Sequence, residues 1–240
     1  MNLNSGIKGF DKVLGGGFPK NSIVLVIGGP GAGKSIFAEH YVYEGLKKGK
    51  KAVFLTFELN KKILLEQGKM FGIDLQEHIN KGTLILKEYD MTKTNIVDIF
   101  KDLKTTIETN NPERVVIDSL SILSMYAEIT AGVEVLRSLD LAPRDIHLSS
   151  EVLKRGAVVG LINMLRKYEI NALLIAEMAE GHHYLTRDSF SEFLCDGVVK
   201  LSVLETSGKR YITVVKMRNA KHDLIPHKLE LTQKGMVVKE

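Results

Sequence analysis

Tryptophan is absent from this 240-residue chain, cysteine occurs once and proline only five times. The lone Cys195 has no partner for an internal disulfide. A disulfide-stapled secreted fold is therefore excluded, and a reducing cytoplasm is expected. The expected role of Cys195 is that of a small buried apolar residue. No Pro-rich linker, low-complexity tract or internal repeat interrupts the chain. No uninterrupted apolar run approaches the roughly 20 residues of a membrane span. The opening Met1-Asn2-Leu3-Asn4-Ser5-Gly6 lacks the charged and apolar regions of a secretory signal. Net charge is only +4, which reads as a solvated surface and does not announce a nucleic-acid binder. His182-His183, flanked by Glu177, Glu180 and Asp188, is a weak metal candidate. Adjacent histidines project in different directions, and no Cys/His cluster has ligand spacing.

What is present fits one large α/β domain over residues 1–240. Hydrophobic residues make up 44% of the chain and charged residues 26%, enough for a filled core under an ordinary surface. Plentiful Lys and Glu, with no Trp, lean toward a thermophilic source. Strand-like apolar runs recur at Ile23–Ile27, 51–57, 83–88, 114–117 and 172–176. Between them, residues 36–48, 61–71, 96–109 and 152–168 space their apolar side chains as helices do. This alternation implies right-handed crossovers and a mainly parallel sheet flanked by helices. Four short strands, at 197–204, 210–216, 228–231 and 236–238, are expected to close it as an antiparallel extension.

The most specific pattern is Gly28-Gly29-Pro30-Gly31-Ala32-Gly33-Lys34-Ser35, which completes G-x-x-x-x-G-K-[ST] between a strand and a helix opening at Ile36. Backbone N–H groups in such a loop converge on phosphate oxygens, where side chains would block the approach. The helix N-terminus adds partial positive charge. Lys34 is expected to reach the β- and γ-phosphates and Ser35 to ligate Mg²⁺. A nucleoside triphosphate is the implied ligand, contacted from Gly28 through Ile36. The strand Arg114-Val115-Val116-Ile117 delivers Asp118 at its carboxyl end, the form of a second motif whose acid holds Mg²⁺. Glu58 ends the preceding strand in the same way. In a parallel sheet the two acids share an edge, where Glu58 can orient and deprotonate water. On geometry alone, a solvated strand-end Glu is equally expected.

These residues carry a resemblance to a known family. Ser5 to Pro19 (SGIKGFDKVLGGGFP) is similar to the TGIPGLDELLGGGIP lead-in of RecA-like ATPases, in particular the KaiC-type branch found as single-domain archaeal proteins. The phosphate loop, Thr56-Phe57-Glu58, Val116-Ile117-Asp118-Ser119 and Lys216-Met217-Arg218-Asn219-Ala220-Lys221-His222 follow at the family's spacing. The last resembles the family's KMRGTxH element. The resemblance implies a RecA-like core and ATP bound at subunit interfaces of ring-shaped homo-oligomers, usually hexamers. It implies a catalytic role for Glu58, and Lys216 and Arg218 reaching the γ-phosphate held by a neighbouring subunit, with His222 near the same nucleotide. A cation supplied in trans would stabilise the charge that hydrolysis leaves on phosphate oxygens. Two departures stand out. Leu59 follows Glu58 where the family often has a second glutamate, and Asn219 replaces a glycine. The clock protein of this family has two ATPase domains, so its autokinase and clock roles are not expected here.

Two intervals remain. Met178 to Cys195 corresponds to a DNA-contacting loop in RecA relatives, but its one strong cation, Arg187, is balanced by Glu180, Asp188 and Glu192. Nucleic acid is accordingly disfavoured, although Tyr184 offers a stacking surface. Tyr126 to Glu151, with Arg137, Asp140 and Arg144, suggests a helix and loop facing a ring centre or a protein partner. Two other readings stay open: an ATP-binding regulatory scaffold with little hydrolysis, and a recombinase-like binder of single-stranded DNA.

Overall fold

The apolar β-branched runs pair into one nine-stranded sheet: β1 (Ile23–Gly28), β2 (Ala52–Thr56), β3 (Leu84–Glu88), β4 (Arg114–Asp118), β5 (Asn171–Glu177), β6 (Gly197–Leu204), β7 (Lys209–Met217), β8 (His227–Thr232) and β9 (Gly235–Val238). The computed structural model describes residues 2–90, 93–130, 150–179 and 184–239. Strand order is β3-β2-β4-β5-β1-β6-β7-β8-β9. The pairs from β3 to β6 are parallel, and β6·β7, β7·β8 and β8·β9 are antiparallel. The expected mainly parallel sheet with a C-terminal antiparallel extension is therefore present. One boundary moves. The sequence pattern groups β6 with the closing strands, but β6 pairs parallel with β1, so the extension starts at β7.

The helices are α1 (Phe10–Val13), α2 (Lys34–Lys47), α3 (Lys61–Met70), α4 (Leu75–Asn80), α5 (Ile96–Asn110), α6 (Leu120–Thr130), α7 (Ser150–Lys167) and α8 (Ser191–Leu194). Two hydrophobic clusters cover the two faces of the sheet. Val24, Val26, Val116, Leu173 and Ile175 point into one, with α1, α2 and α3. Their strand neighbours Ile23, Leu25, Ile27, Val115, Ile117, Ala172 and Leu174 point into the other, with α5, α6 and α7. Strands buried on both faces have no polar alternation, which is why they read as continuous apolar runs. In α5 the stripe Ile96, Ile99, Phe100, Leu103 and Ile107 is buried throughout. Asn95 caps its first turn through Val97 N–H, and Asn111 ends it in the left-handed region at φ +45°.

Parallel strands bring their carboxyl ends to one edge of the sheet. The register Gly28↔Glu177 and Asp118↔Ile175, with Thr56↔Asp118, sets the ends of β1, β5, β4 and β2 side by side there. Ligands bind at this edge in open α/β sheets.

Candidate functional site

The glycine loop leaves β1 at that edge. A Cβ on Gly28 would lie 2.5 Å from Leu201 O, so only glycine lets β1 end against β6 there. Gly31 and Gly33 adopt φ +69° and +101°, left-handed values that turn the loop into α2 at little steric cost. Beyond Gly29 and Gly31 nothing lies within 4 Å of an added Cβ, so this side of the loop is open. No side chain caps the first turn of α2, which leaves its N–H groups to an anion. Ala32 and Ile36 are buried and fix the loop to the core, whereas Pro30 is exposed. Lys34 Nζ donates to Gly28 O and Gly29 O at 2.9 and 3.0 Å, holding the ammonium over the loop.

Ser35 Oγ donates to Asp118 Oδ2 at 2.8 Å. The other carboxylate oxygen, Asp118 Oδ1, is buried with no hydrogen-bond partner. Burial, with the nearby negative charge of Glu58, raises the Asp118 carboxyl to about 6, against the pull of Ser35 and Lys34. An orphaned acceptor beside a hydroxyl, both hard oxygen donors, fits a Mg²⁺ ion that takes its remaining ligands from phosphate and water. Among the described residues no group of three or more His, Cys, Asp or Glu gathers to hold a metal. His182 and His183 lie outside the described residues.

Glu58 is exposed at the end of β2. Its neighbours hold it from both sides. Phe57 N–H donates to Asp118 O at 2.7 Å. Thr56 Oγ1 accepts from Leu59 N and donates to Leu59 O. The glycine loop, Ser35, Asp118 and Glu58 thus meet at one edge, as the spacing implies.

Lys216, Arg218 and His222 do not join them. Register pairs Lys216 with Val198, and Val198 with Leu25, three residues before the loop. Arg218 N–H donates to Asp196 O, and Asp196 N–H to Ile23 O, at the amino end of β1. Lys216 Nζ donates to Glu192 O and Cys195 O at 3.0 and 2.6 Å, and Arg218 pairs with Asp196 at 3.2 Å. Burial and the charge of Arg218 hold the Lys216 ammonium below its usual range. His222 is half-buried beside Ala220 O. Asn219, at the family's glycine position, has φ +59°, a conformation asparagine tolerates better than most residues.

Two cis contacts escape sequence reasoning. Arg210 Nε donates to Gly31 O at 3.2 Å, so the antiparallel extension brings a cation to the loop. A charged residue opening a strand gives no signal of where a hairpin will fold it. Arg187 pairs with Glu177 at 2.7 Å. Both line a cleft of about 660 Å³ with Gly28, Gly29, Pro30 and Ser189. The polar residues Arg137, Asp140 and Arg144 fall outside the described residues.

Comparisons with known proteins find relatives over the whole chain. The sequence model of the ATPase family described as KaiC matches residues 3–141 and 140–240. A UPF0273 protein of Sulfurisphaera tokodaii is 28% identical over 99% of this chain and 82% of its own length. The circadian clock oscillator protein KaiC of Prochlorococcus marinus is 27% identical over 100% of this chain, which spans 44% of that protein. The crystal structure of a KaiC-like protein from the hyperthermophilic archaeon Pyrococcus horikoshii superposes with a TM-score of 0.82. It is 27% identical, covering 100% of this chain and 99% of that one.

Proposed function

Because the chain belongs to the KaiC ATPase family, we propose that it hydrolyses ATP with Mg²⁺ at sites shared between subunits of a ring-shaped homo-oligomer, a hexamer by the family resemblance. The observation that carries this reading is a separation. Ser35, Asp118 and Glu58 meet at the carboxyl edge of the sheet, while Lys216 and Arg218 lie toward its amino edge. A chain arranged this way holds half of a hydrolytic site at each end.

In this reading the amides from Gly28 to Ile36 and the Lys34 ammonium hold the triphosphate. Arg210 adds a cis cation through its place on the loop. Ser35 and Asp118 hold Mg²⁺, which when bound neutralises charge on the β- and γ-phosphate oxygens. Glu58 orients the attacking water and takes its proton. Lys216 and Arg218, with His222 near the same nucleotide by the family resemblance, act on the ATP of the neighbouring subunit and stabilise the charge that develops on its γ-phosphate oxygens. Nucleotide state is then read out as ring assembly or as exposure of a surface to a protein partner. Nucleic acid is not part of the reading, since Arg187 is engaged by Glu177.

We place this single ATPase domain in the cytoplasm of an archaeon. The archaeal relatives support the source. Among the described residues no helix is long and apolar enough to cross a membrane. Cys195 is buried, its thiol pushed up to about 12 by that burial, so it is inert in the reduced state that a cytoplasm maintains.

Steady-state phosphate release by wild type and Glu58→Gln, across protein concentrations, tests the reading. Hydrolysis predicts turnover per chain that rises with concentration as rings assemble and a large loss in Glu58→Gln. If neither protein releases phosphate while both bind ATP, the regulatory scaffold is left standing. The exposed, unpaired acid of the Glu58-Leu59 step is the feature that keeps that second reading open.

A further inference from the structure

Glu39 is a charged residue where an apolar one would be expected. It lies one helical turn beyond Ser35 on α2, with none of its surface exposed. Gln67 Nε2, on α3, donates to Glu39 Oε1 at 3.3 Å, and Glu39 Oε2 is buried without a partner. Burying a carboxyl with an unsatisfied oxygen is unfavourable unless something else depends on it. Gly68 adjoins the contact. A Cβ there would stand 3.4 Å from Glu39 Oε2 and 3.0 Å from Ile73 O, so glycine lets α3 approach α2 closely.

The contact closes a circuit of bonds around Glu58. Ser35 holds Asp118. Asp118 O accepts from Phe57 N–H. Thr56 Oγ1 holds Leu59 on the other side of Glu58. Asn60 caps α3 through Ile63 N–H at 2.9 Å. Two turns later Gln67 returns to Glu39, on the same face of α2 as Ser35. The β3 side of the turn is held separately, by Lys61 N–H donating to Glu88 Oε2 at 2.9 Å and by Phe57 stacked on Tyr89. The Glu39–Gln67 contact is the side-chain hydrogen bond that returns from α3 to α2.

We propose that Glu39 is a positioning residue for hydrolysis: through Gln67 it clamps α3 to α2 and so fixes the turn bearing Glu58 relative to Ser35 and Asp118. This rests on the hydrolytic reading above. Burial raises the Glu39 carboxyl to about 8, so at neutral pH the clamp is a neutral acid, and glutamine is its close mimic.

The test compares Glu39→Leu, Gln67→Leu, their double variant and Glu39→Gln in the full-length chain. Each Leu variant should lower kcat about tenfold, the scale on which small misplacements of catalytic groups act, while the Kd for ATP stays within about twofold. The double variant should be no slower than either single one, because both remove one link. Glu39→Gln should restore kcat to within about twofold of wild type, since its amide oxygen accepts from Gln67. Hydrogen exchange at the amides of Leu59, Ile63 and Leu64 should quicken in the Leu variants and not in Glu39→Gln. The proposal is overturned if Glu39→Leu keeps wild-type kcat and exchange, or if Glu39→Gln behaves like Glu39→Leu. If wild type itself releases no phosphate, the hydrolytic reading fails, and the exchange comparison still decides whether the clamp holds the turn.

Discussion

Ser35 Oγ donates to Asp118 Oδ2 at 2.8 Å, joining the first turn of α2 to the carboxyl end of β4 across 83 residues of sequence. The bond leaves Asp118 Oδ1 buried and unpartnered, an acceptor that Mg²⁺ would engage in the function proposed above.

Asp118→Asn should therefore separate stability from function. The Asp118 carboxyl is raised from 3.8 to about 6, first by burial. A raised carboxyl contributes stability that is full below pH 3.8 and lost as pH rises through 6. At pH 7 the nucleotide-free protein carries a buried charge, and asparagine removes it while still accepting from Ser35. The thermal midpoint of Asp118→Asn at pH 7 should rise by the equivalent of roughly 1–3 kcal/mol. The further rise that ATP gives with Mg²⁺ over ATP alone should vanish. A variant that keeps that Mg²⁺-dependent increment would remove Asp118 from the metal site.

Arg210→Ala tests the cation that the antiparallel extension brings to the loop. Its Nε bonds Gly31 O, and the residue is half-buried at the start of β7. Folding stability should change by less than about 0.5 kcal/mol, as for other surface substitutions. The Kd for ATP should rise by about 3–10-fold at low salt, and by less as ionic strength screens the charge. Titration of a fluorescent nucleotide at two salt concentrations measures both effects. An unchanged Kd at low salt would mean that Arg210 only braces the loop.

Much of the site was legible in the sequence because its motifs are local. The loop needs consecutive glycines, and Asp118 and Glu58 each end an apolar strand, so a parallel sheet must set them on one edge. What escaped is non-local or lacks a period. Arg210 meets Gly31 only through the folding of β7 beside β6. Helix α6 starts at Leu120, ahead of the Tyr126–Glu151 interval that suggests a helix and loop, and its apolar residues Leu120, Ile122, Leu123, Met125 and Ala127 surround the helix instead of marking one face. Short α4 is announced only by its Asp74 cap, which accepts from Glu77 N–H at 3.3 Å. Glu39 gave no sign, since a single acid on a helix reads as solvent-facing until α3 packs over it.

Glu39 and its neighbour His40 should shape the pH dependence of stability in opposite directions. Glu39 is raised from 4.5 to about 8 by burial and then by Asp118. Its contribution is full below pH 4.5 and lost as pH rises through 8. His40 is lowered from 6.5 to about 4 by burial and then by Lys47. Its neutral Nε2 accepts from Met236 N–H at 2.9 Å, tying α2 to the β8–β9 hairpin. That contribution is present above pH 6.5 and lost as pH falls toward 4. Glu39→Gln should flatten the decline between pH 5 and 8, those limits lying inside the cited shift. His40→Leu should flatten the acid side and cost about 1–3 kcal/mol at neutral pH, because Met236 N–H is left buried and unpaired. Urea midpoints across the range measure both slopes. An unchanged alkaline slope in Glu39→Gln would mean that Glu39 is charged in the folded protein.

The placement of Lys216 and Arg218 makes the sharpest prediction. Both are turned toward the turn around α8 near the amino edge, away from their own loop. If they act on a neighbour's nucleotide, Glu58→Gln and Arg218→Ala disable different halves of each shared site. Either variant alone should assemble, bind ATP and turn over slowly. In a random equal mixture, a site is intact when the subunit holding ATP keeps Glu58 and its neighbour keeps Arg218. Each condition is met half the time, so the mixture should recover roughly a quarter of wild-type turnover in a closed ring with heterologous contacts. Cations acting in cis could not be rescued this way, because every chain in the mixture lacks one of the two groups. Turnover that stays at the level of the separate variants, in oligomers shown to contain both chains, would return Lys216 and Arg218 to a purely structural role at the turn of Glu192, Phe193 and Cys195.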